Sequence, residues 1–400
     1  MSMNGGVIAD WHPEPWPSVY FKGLRLWDTG TMWFNLNPGD GVYDWSQLDK
    51  WLAAAGENGN DVVYTFAGVP QWVSSNPDDN SCLLGPGTCD PPDDLNADGT
   101  GTDQHWKDFV TALAEHSENS ATAHISFWEM WNEPMHTIFW NGTYAQLIRM
   151  VSDAYGIIKG IDPNAVVLSP GFGWQSTTTM AWMGGYFAAG AGPYADAISV
   201  HGYCKNSGGT YGPPENVVKY SALFRAVLQQ QGQEGKPIWD LEGNWGPGLL
   251  TDPDMQAGWL ARFYLFHVSE DVKRMYWFLW NGGDTGGLWI PDPQNHSDPG
   301  TLLKPGIAYR EVGNWVIGTE LSSQCSAQGT VWTCGFTGSG GYQALAVWDA
   351  SGTCSNGECT ITKYYFSGDY VNYRTLYGHT LQISGDWVPI GARPILLQNQ

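Results

Sequence analysis

Cations are scarce in this chain. Its 400 residues carry 18 Lys and Arg against 40 Asp and Glu, a formal net charge of -22. Such a surface repels nucleic acid, anionic membranes and polyanionic substrates, which leaves a neutral partner as the expectation. No run of about twenty apolar residues is present, so no membrane-spanning helix is expected, and the first residues lack the charged and apolar regions of a secretion signal. GxSxG elbow, HExxH zinc helix and phosphate loop are all missing, which removes support for serine, zinc-helix and nucleotide mechanisms. No cofactor is called for. Long internal repeats and low-complexity tracts are also absent.

Cysteine is sparse but patterned. Six of the seven fall into close pairs, Cys82/Cys89, Cys325/Cys334 and Cys354/Cys359, with Cys204 left over. The pairs lack the CxxC spacing and histidine neighbours of a zinc site, so no metal is expected there, and three local disulfides in an oxidising, extracytoplasmic compartment are. Sequons at Asn141-Gly142-Thr143 and Asn295-His296-Ser297 are compatible with that location.

What the chain has in excess is aromatic surface: 23 Trp and 19 Tyr. Most of these rings must be core, yet flat amphipathic rings at a surface also suit stacking on sugars. One stretch concentrates them, Trp128-Glu129-Met130-Trp131-Asn132-Glu133-Pro134, at the end of an apolar run from His124. That run is too short for a helix and reads as a buried strand, which puts Asn132 and Glu133 at its mouth. An ionised Glu buried there is costly unless it is paired or its pKa rises and it donates a proton. A second strand, Lys236 to Trp239, leads into Asp240-Leu241-Glu242-Gly243-Asn244-Trp245. Alternation along that strand puts Asp240 and Glu242 on one side. Taken alone, each Glu could be a helix cap or part of an acidic loop; two carboxylates at two strand mouths make a catalytic pair.

Further strands are expected at Gly6–Ala9, Gly23–Asp28, Asp61–Phe66, Ala165–Ser169, Ala195–Val200 and Val272–Trp280, with helices at about Trp45–Ala55 and Thr143–Lys159. Eight strands alternating with helices describe a (β/α)8 barrel, whose site lies at the carboxyl ends of its strands. His12 follows the first strand. Arg25, in an apolar run, needs a buried carboxylate, and a catalytic Glu is the economical partner. Trp72 at the third strand end is either a stacking platform or a loop anchor, His201 and Tyr203 follow the sixth strand, and Trp280 ends the eighth. The long Pro, Gly and Asp-rich segment from Ser74 to Thr102 is expected to be a functional loop over the site. Within it Asp94 to Gly99 matches half a calcium loop, but His105 stands where the bidentate Glu belongs, so a turn leading to an Asp103 helix cap is preferred. Past Trp315 short alternating runs with Gly-rich turns predict a small β-sandwich that packs as an accessory. The expected division is therefore 1–315 barrel and 316–400 sandwich.

With Asn132-Glu133-Pro134, Glu242, His201-x-Tyr203, Arg25 and Trp280 at these strand ends, the chain resembles the clan of retaining (β/α)8 glycoside hydrolases. It is most similar to family 39 and its relatives, through the appended β-domain and Val69-Pro70-Gln71-Trp72-Val73. The resemblance implies Glu133 as acid/base, Glu242 as nucleophile, Asn132 on the sugar 2-hydroxyl, and Arg25, His201 and Tyr203 positioning Glu242. Burial against the walls of Trp128 and Trp131 is expected to raise the acid. The retaining mechanism needs no cofactor, the charge favours a neutral carbohydrate substrate, and Trp72, Trp245, Trp280 and His12 are further candidates for sugar contacts. A monomer cleaving within a polymer is expected. An exo-acting β-glycosidase and a binding protein that has lost turnover are the alternatives.

Overall fold

The computed structural model describes residues 16–174, 176–206, 210–246, 248–281, 286–290 and 300–400, with the backbone of 2–4. Seven strands pair in chain order, each parallel to the next. They are β1 Ser2–Asn4, β2 Gly23–Leu26, β3 Asp61–Thr65, β4 Ile125–Glu129, β5 Val166–Leu168, β6 Ile198–His201 and β7 Ile238–Gly243. A parallel bridge from Leu168 to Ala197 links β5 to β6. The eighth expected strand forms as β8, Val272–Trp277. The architecture is a (β/α)8 barrel followed by an antiparallel β-domain. The expected strand at Gly6–Ala9 lies outside the described residues.

Helices wrap strands that are buried on both faces, as parallel sheets require. Every residue of β2, β6 and β7 is buried. The helix α1, Ser46–Asn58, lays Leu48, Trp51, Leu52 and Ala55 on that sheet, and its second residue before the helix, Asp44, accepts the Ser46 N–H at 2.9 Å. Another, α3 at Tyr144–Ile161, opens with a capping box in which Thr143 and Gln146 satisfy each other's backbone N–H. Much of the tryptophan is core: Trp33, Trp106, Phe66 and Trp128 pack ring against ring, with Trp33–Trp106 centroids 5.0 Å and Phe66–Trp106 4.9 Å apart. No described helix is long and apolar enough to cross a membrane.

Chain contacts divide the protein into two compact units, one of Met1–Trp11, Phe21–Gly202 and Ala222–Glu242, the other of His12–Tyr20, Tyr203–Ser221 and Gly243–Gln400. Within the second, six antiparallel strands form a sheet in the order Glu320–Gln328, Val331–Thr337, Gln343–Asp349, Ile395–Gln398, Asn372–Thr375, Thr380–Gln382. A ribbon of Thr362–Tyr365 and Trp387–Ile390 covers it, and Val347, Ile395 and Leu397 from the sheet meet Val388 and Ile390 from the ribbon in one core. That is the expected sandwich. Cys325–Cys334 and Cys354–Cys359 clip it, Cys82–Cys89 clips the long loop after β3, and Cys204 is buried and in none of the three disulfides.

The loop from Ser74 to Thr102 corrects one expectation. Asp103 does not cap the helix α2, Gln104–Glu118: it sits in the left-handed region at φ 50° with no side-chain cap bond, and turns its carboxyl inward. Asp94 caps instead, accepting the Gln104 N–H at 2.5 Å and the Thr102 hydroxyl at 2.7 Å. Asp98 likewise accepts from the Thr100 N–H and hydroxyl, so turn donors occupy the acids of the calcium-like stretch. Burial, reinforced by Asp153, pushes the Asp103 carboxyl from 3.8 up to about 8. An acid whose folded pKa is raised contributes stability that is whole below the unfolded value and lost as pH rises to the folded one. Stability is therefore expected to fall between pH 4 and 8, and Asp103→Asn to flatten that fall by on the order of 2 kcal/mol, read from denaturant melts at pH 5 and 8.5.

Candidate active site

Alternation along β4 decides the centre of the site. Successive side chains of a strand point to opposite faces. Trp128 accordingly packs outward, stacked on Phe66 with centroids 5.8 Å apart, and Glu129 points to the barrel interior with no exposed surface. Opposite it stands Arg25 of β2, also with none. Arg25 Nε donates to Glu129 Oε2 at 2.8 Å, and its two terminal nitrogens donate to Glu242 Oε2 at 2.8 Å and Asn132 Oδ1 at 2.9 Å. The expected Arg25–Glu242 contact is present, but the main partner is Glu129, for which the sequence reading had no role. Thr65 and Ser199 hydroxyls add bonds to Glu129 of 2.7 and 2.6 Å.

Past β4 the chain turns sharply. Trp131 at φ 152° and Glu133 at φ 41° flank Asn132 in backbone conformations that side chains other than glycine disfavour. Hydrogen bonds hold the turn: Asn132 N–H to Phe66 O at 3.1 Å, Gly171 N–H to Trp131 O at 2.9 Å and His136 N–H to Glu133 O at 3.0 Å. The strain presents Asn132 to Arg25 and Glu133 to His201. At β7, the register slips between the Val200–Asp240 and His201–Glu242 pairs. Asp240 secures that irregularity, its Oδ1 accepting the N–H groups of Gly202 at 3.0 Å and Glu242 at 3.1 Å.

His201 differs from expectation. Its Nδ1 lies 2.9 Å from Glu133 Oε1 and 3.8 Å from Glu242 Oε2, so its hydrogen bond goes to Glu133. Its Nε2 lies 3.2 Å from Glu129 Oε1 and 3.3 Å from the Arg25 guanidinium. Burial disfavours charge on the ring, but Glu242, Glu129 and Glu133 outweigh it and raise the imidazole to about 10. Burial also pushes Glu133 up, yet the His201 hydrogen bond and charge prevail and the net shift is downward. The net rise expected for Glu133 is thus reversed by His201, while Trp128 stacks on Phe66 and the Trp131 indole N–H donates to Phe139 O at 3.0 Å. For Glu129, Arg25 and His201 overcome burial and bring the carboxyl down to about 2. Asp28, at the end of β2, is lifted to about 6 by burial and by Glu242.

Exposure sorts these groups. The side chains of Arg25, Glu129 and His201 are fully covered, while Glu133 keeps 17% and Glu242 11% of their surface. The His201 distances put the two partly open carboxylates within about 7 Å of one another, a range that includes the roughly 5–5.5 Å of double-displacement pairs.

The other expected contacts are more varied. Trp72 is half-buried, its indole N–H bound to Asn37 O at 2.9 Å and its ring edge-on to His105, so it is anchored. It also borders two open clefts of about 270 and 400 Å³. In the second unit, Trp245 and Trp280 are buried, packed on Trp277 and Trp16 respectively, and Tyr203 is half-buried beside Tyr211. His12 and the Asn295 sequon lie outside the described residues. Among the described residues one cluster, Asp79, Cys82, Cys89 and Asp90, brings four metal-ligand atoms within 4.8 Å, and its two sulfurs are joined in a disulfide.

Neither a family model nor a curated protein matches the chain in sequence. Solved structures match it in fold. A family 39 glycoside hydrolase from Bacteroides cellulosilyticus WH2 aligns over 94% of this chain and 75% of its own, with a TM-score of 0.66 and 15% identity. A family 39 β-xylosidase from Caulobacter crescentus aligns over 94% and 88%, at 0.60 and 16%. A family 30 endoxylanase from Clostridium papyrosolvens C71 aligns over 94% and 89%, at 0.56 and 14%.

Removing Arg25 leaves two carboxylates facing without their counter-ion. Arg25→Met is expected to cost about 3–5 kcal/mol of folding free energy, measured by urea denaturation, where a surface arginine would cost under about 1.

Proposed function

We propose that the protein is a retaining glycoside hydrolase acting on a neutral carbohydrate, with Glu242 as nucleophile and Glu133 as acid/base. The observation that carries this reading is the pair of partly exposed carboxylates at the ends of β4 and β7, joined through a buried arginine and histidine. In the first step Glu242 attacks the anomeric carbon as the bond to the leaving oxygen breaks, and that oxygen takes a proton from Glu133. The hydrogen bond from His201 Nδ1 to Glu133 Oε1 supplies a route by which the carboxyl is recharged. In the second step Glu133 accepts a proton from water as it attacks the glycosyl ester, releasing Glu242. Asn132, fixed by Arg25, is the expected donor to the 2-hydroxyl through its amide N–H.

Several features support a sugar over other neutral ligands. They are the fold shared with enzymes described as xylosidase and endoxylanase, the anionic surface and the anchored Trp72 beside open clefts. The proposed mode is cleavage within a polymer. The same proposal includes a catalytic barrel over 1–315, an accessory sandwich over 316–400, a monomer, and an extracytoplasmic setting for the three disulfides.

Glu133→Gln and Glu242→Gln are each expected to lower kcat/KM by at least about a hundredfold on aryl glycosides and polysaccharides. Proton NMR should show products released first with the substrate's anomeric configuration. Turnover within a few-fold of the parent in either variant rejects the assignment, and tight binding of a polymer with no turnover by the parent favours a binding protein.

A further inference from the structure

We propose that Glu129 is a positioning residue: its Oε1, set against the Nε2 side of His201, governs how firmly the His201–Glu133 pair holds its proton, and thereby the upper pH limit of catalysis. The inference rests on the acid/base reading of Glu133 and extends it to a side chain that substrate does not reach.

The geometry is specific. Both oxygens of Glu129 are engaged: Oε2 accepts from Arg25 and Thr65, and Oε1 accepts from Ser199 at 2.6 Å and faces His201 Nε2 at 3.2 Å. Nε2 also lies 3.3 Å from Arg25, so it meets an acceptor on one side and a donor on the other. With Nε2 protonated and bonded to Glu129, Nδ1 is left facing Glu133, and one proton is shared between Nδ1 and Oε1 at 2.9 Å. That tautomer lets Glu133 carry the proton to a leaving oxygen and recover it afterwards, a role parallel to the carboxylate that orients a catalytic histidine. A neutral Glu129 would remove the anion that favours this arrangement and leave Arg25 repelling a protonated ring.

The junction is closed. A side chain at Gly171 would place its Cβ 2.4 Å from His201 Nε2 and 2.7 Å from Glu129 Oε1, so that position admits glycine alone. Other charges also face the ring or its partner. Glu242 lies 3.8 Å from Nδ1 and is, with Glu129 and Glu133, what keeps the ring cationic against burial and Arg25. His136 adds positive charge near Glu133, Asp28 responds to Glu242, and Asp240 is bound to the backbone at Gly202 and Glu242. All of these remain in place when Glu129 alone is neutralised.

Two variants move the pair in opposite directions. Glu129→Gln removes the charge, so the pair should release its proton at lower pH. Ser199→Ala removes a donor that shares the Oε1 charge, so the pair should hold its proton to higher pH. The readouts are kcat/KM against pH on an aryl glycoside and nitrogen-15 NMR titration of His201, assigned by the resonance missing from His201→Gln. The alkaline limb and the His201 titration should move down by about one unit or more in Glu129→Gln and up in Ser199→Ala. A uniform loss of rate with unmoved limbs and an unmoved His201 titration would overturn the proposal and reduce Glu129 to a structural counter-ion. Should Glu129→Gln fail to fold, Ser199→Ala decides alone. Should the parent turn over no glycoside, the NMR titration still tests Glu129, and the enzymatic reading fails separately.

Discussion

An arginine with no exposed surface has to be neutralised where it stands, and in this barrel that requirement organises everything at the carboxyl ends of the strands. Removing a guanidinium from water costs several kcal/mol, recovered only when each of its donors meets a well-placed acceptor. Arg25 meets three, on Glu129, Glu242 and Asn132. Because those acceptors come from β4, the turn after it and β7, satisfying one side chain fixes the relative positions of three chain segments. The planar set of donors, spread over three acceptors, adds direction to charge, which an ammonium would not supply.

Charge then propagates outward through His201. A buried imidazole between two carboxylates, with a third 3.8 Å away, is held as a cation despite burial, and Glu133 is correspondingly favoured as an anion. The site thus stores a proton on a histidine in contact with Glu133, the group proposed to donate it. In the account expected from aromatic walls, the carboxyl itself would be raised by its surroundings. The two arrangements differ in what sets the pH dependence: solvation of one acid in the latter, a network of five charged groups in the former.

Much of this was legible from residue order. Seven of the eight strands, the helices that follow Asp44 and Thr143, the sandwich after Trp315 and the three cysteine pairs all rest on local signals, namely periodicity, caps and spacing. Glu133 and Glu242 were visible because strand-end acids beside glycine or proline stand out from an apolar run. What stayed hidden depends on which strands lie opposite one another. Glu129 was in plain sight within the motif, but its role depends on the side chains that β2 and β6, which do not pair with β4, bring to it. The available hint was parity: in a strand where Trp128 faces the helices, Glu129 must face the interior, where Arg25 was already seeking an acid. His201 does lie 3.8 Å from Glu242, but its Nδ1 hydrogen-bonds Glu133 at 2.9 Å, a preference that residue order does not carry. Asp103 looked like a cap by position, whereas the left-handed turn gave that duty to Asp94, nine residues earlier in the chain.

The most direct test of the central claim is mass spectrometry of the protein after reaction with an activated 2-deoxy-2-fluoro glycoside, followed by peptide mapping. Such a reagent slows hydrolysis of the glycosyl ester, so a double-displacement enzyme accumulates it. The account predicts one added glycosyl group on the peptide containing Glu242, and none in Glu242→Gln. Attachment to Glu133, or turnover of the parent substrate with inverted configuration and no trapped ester, would contradict it.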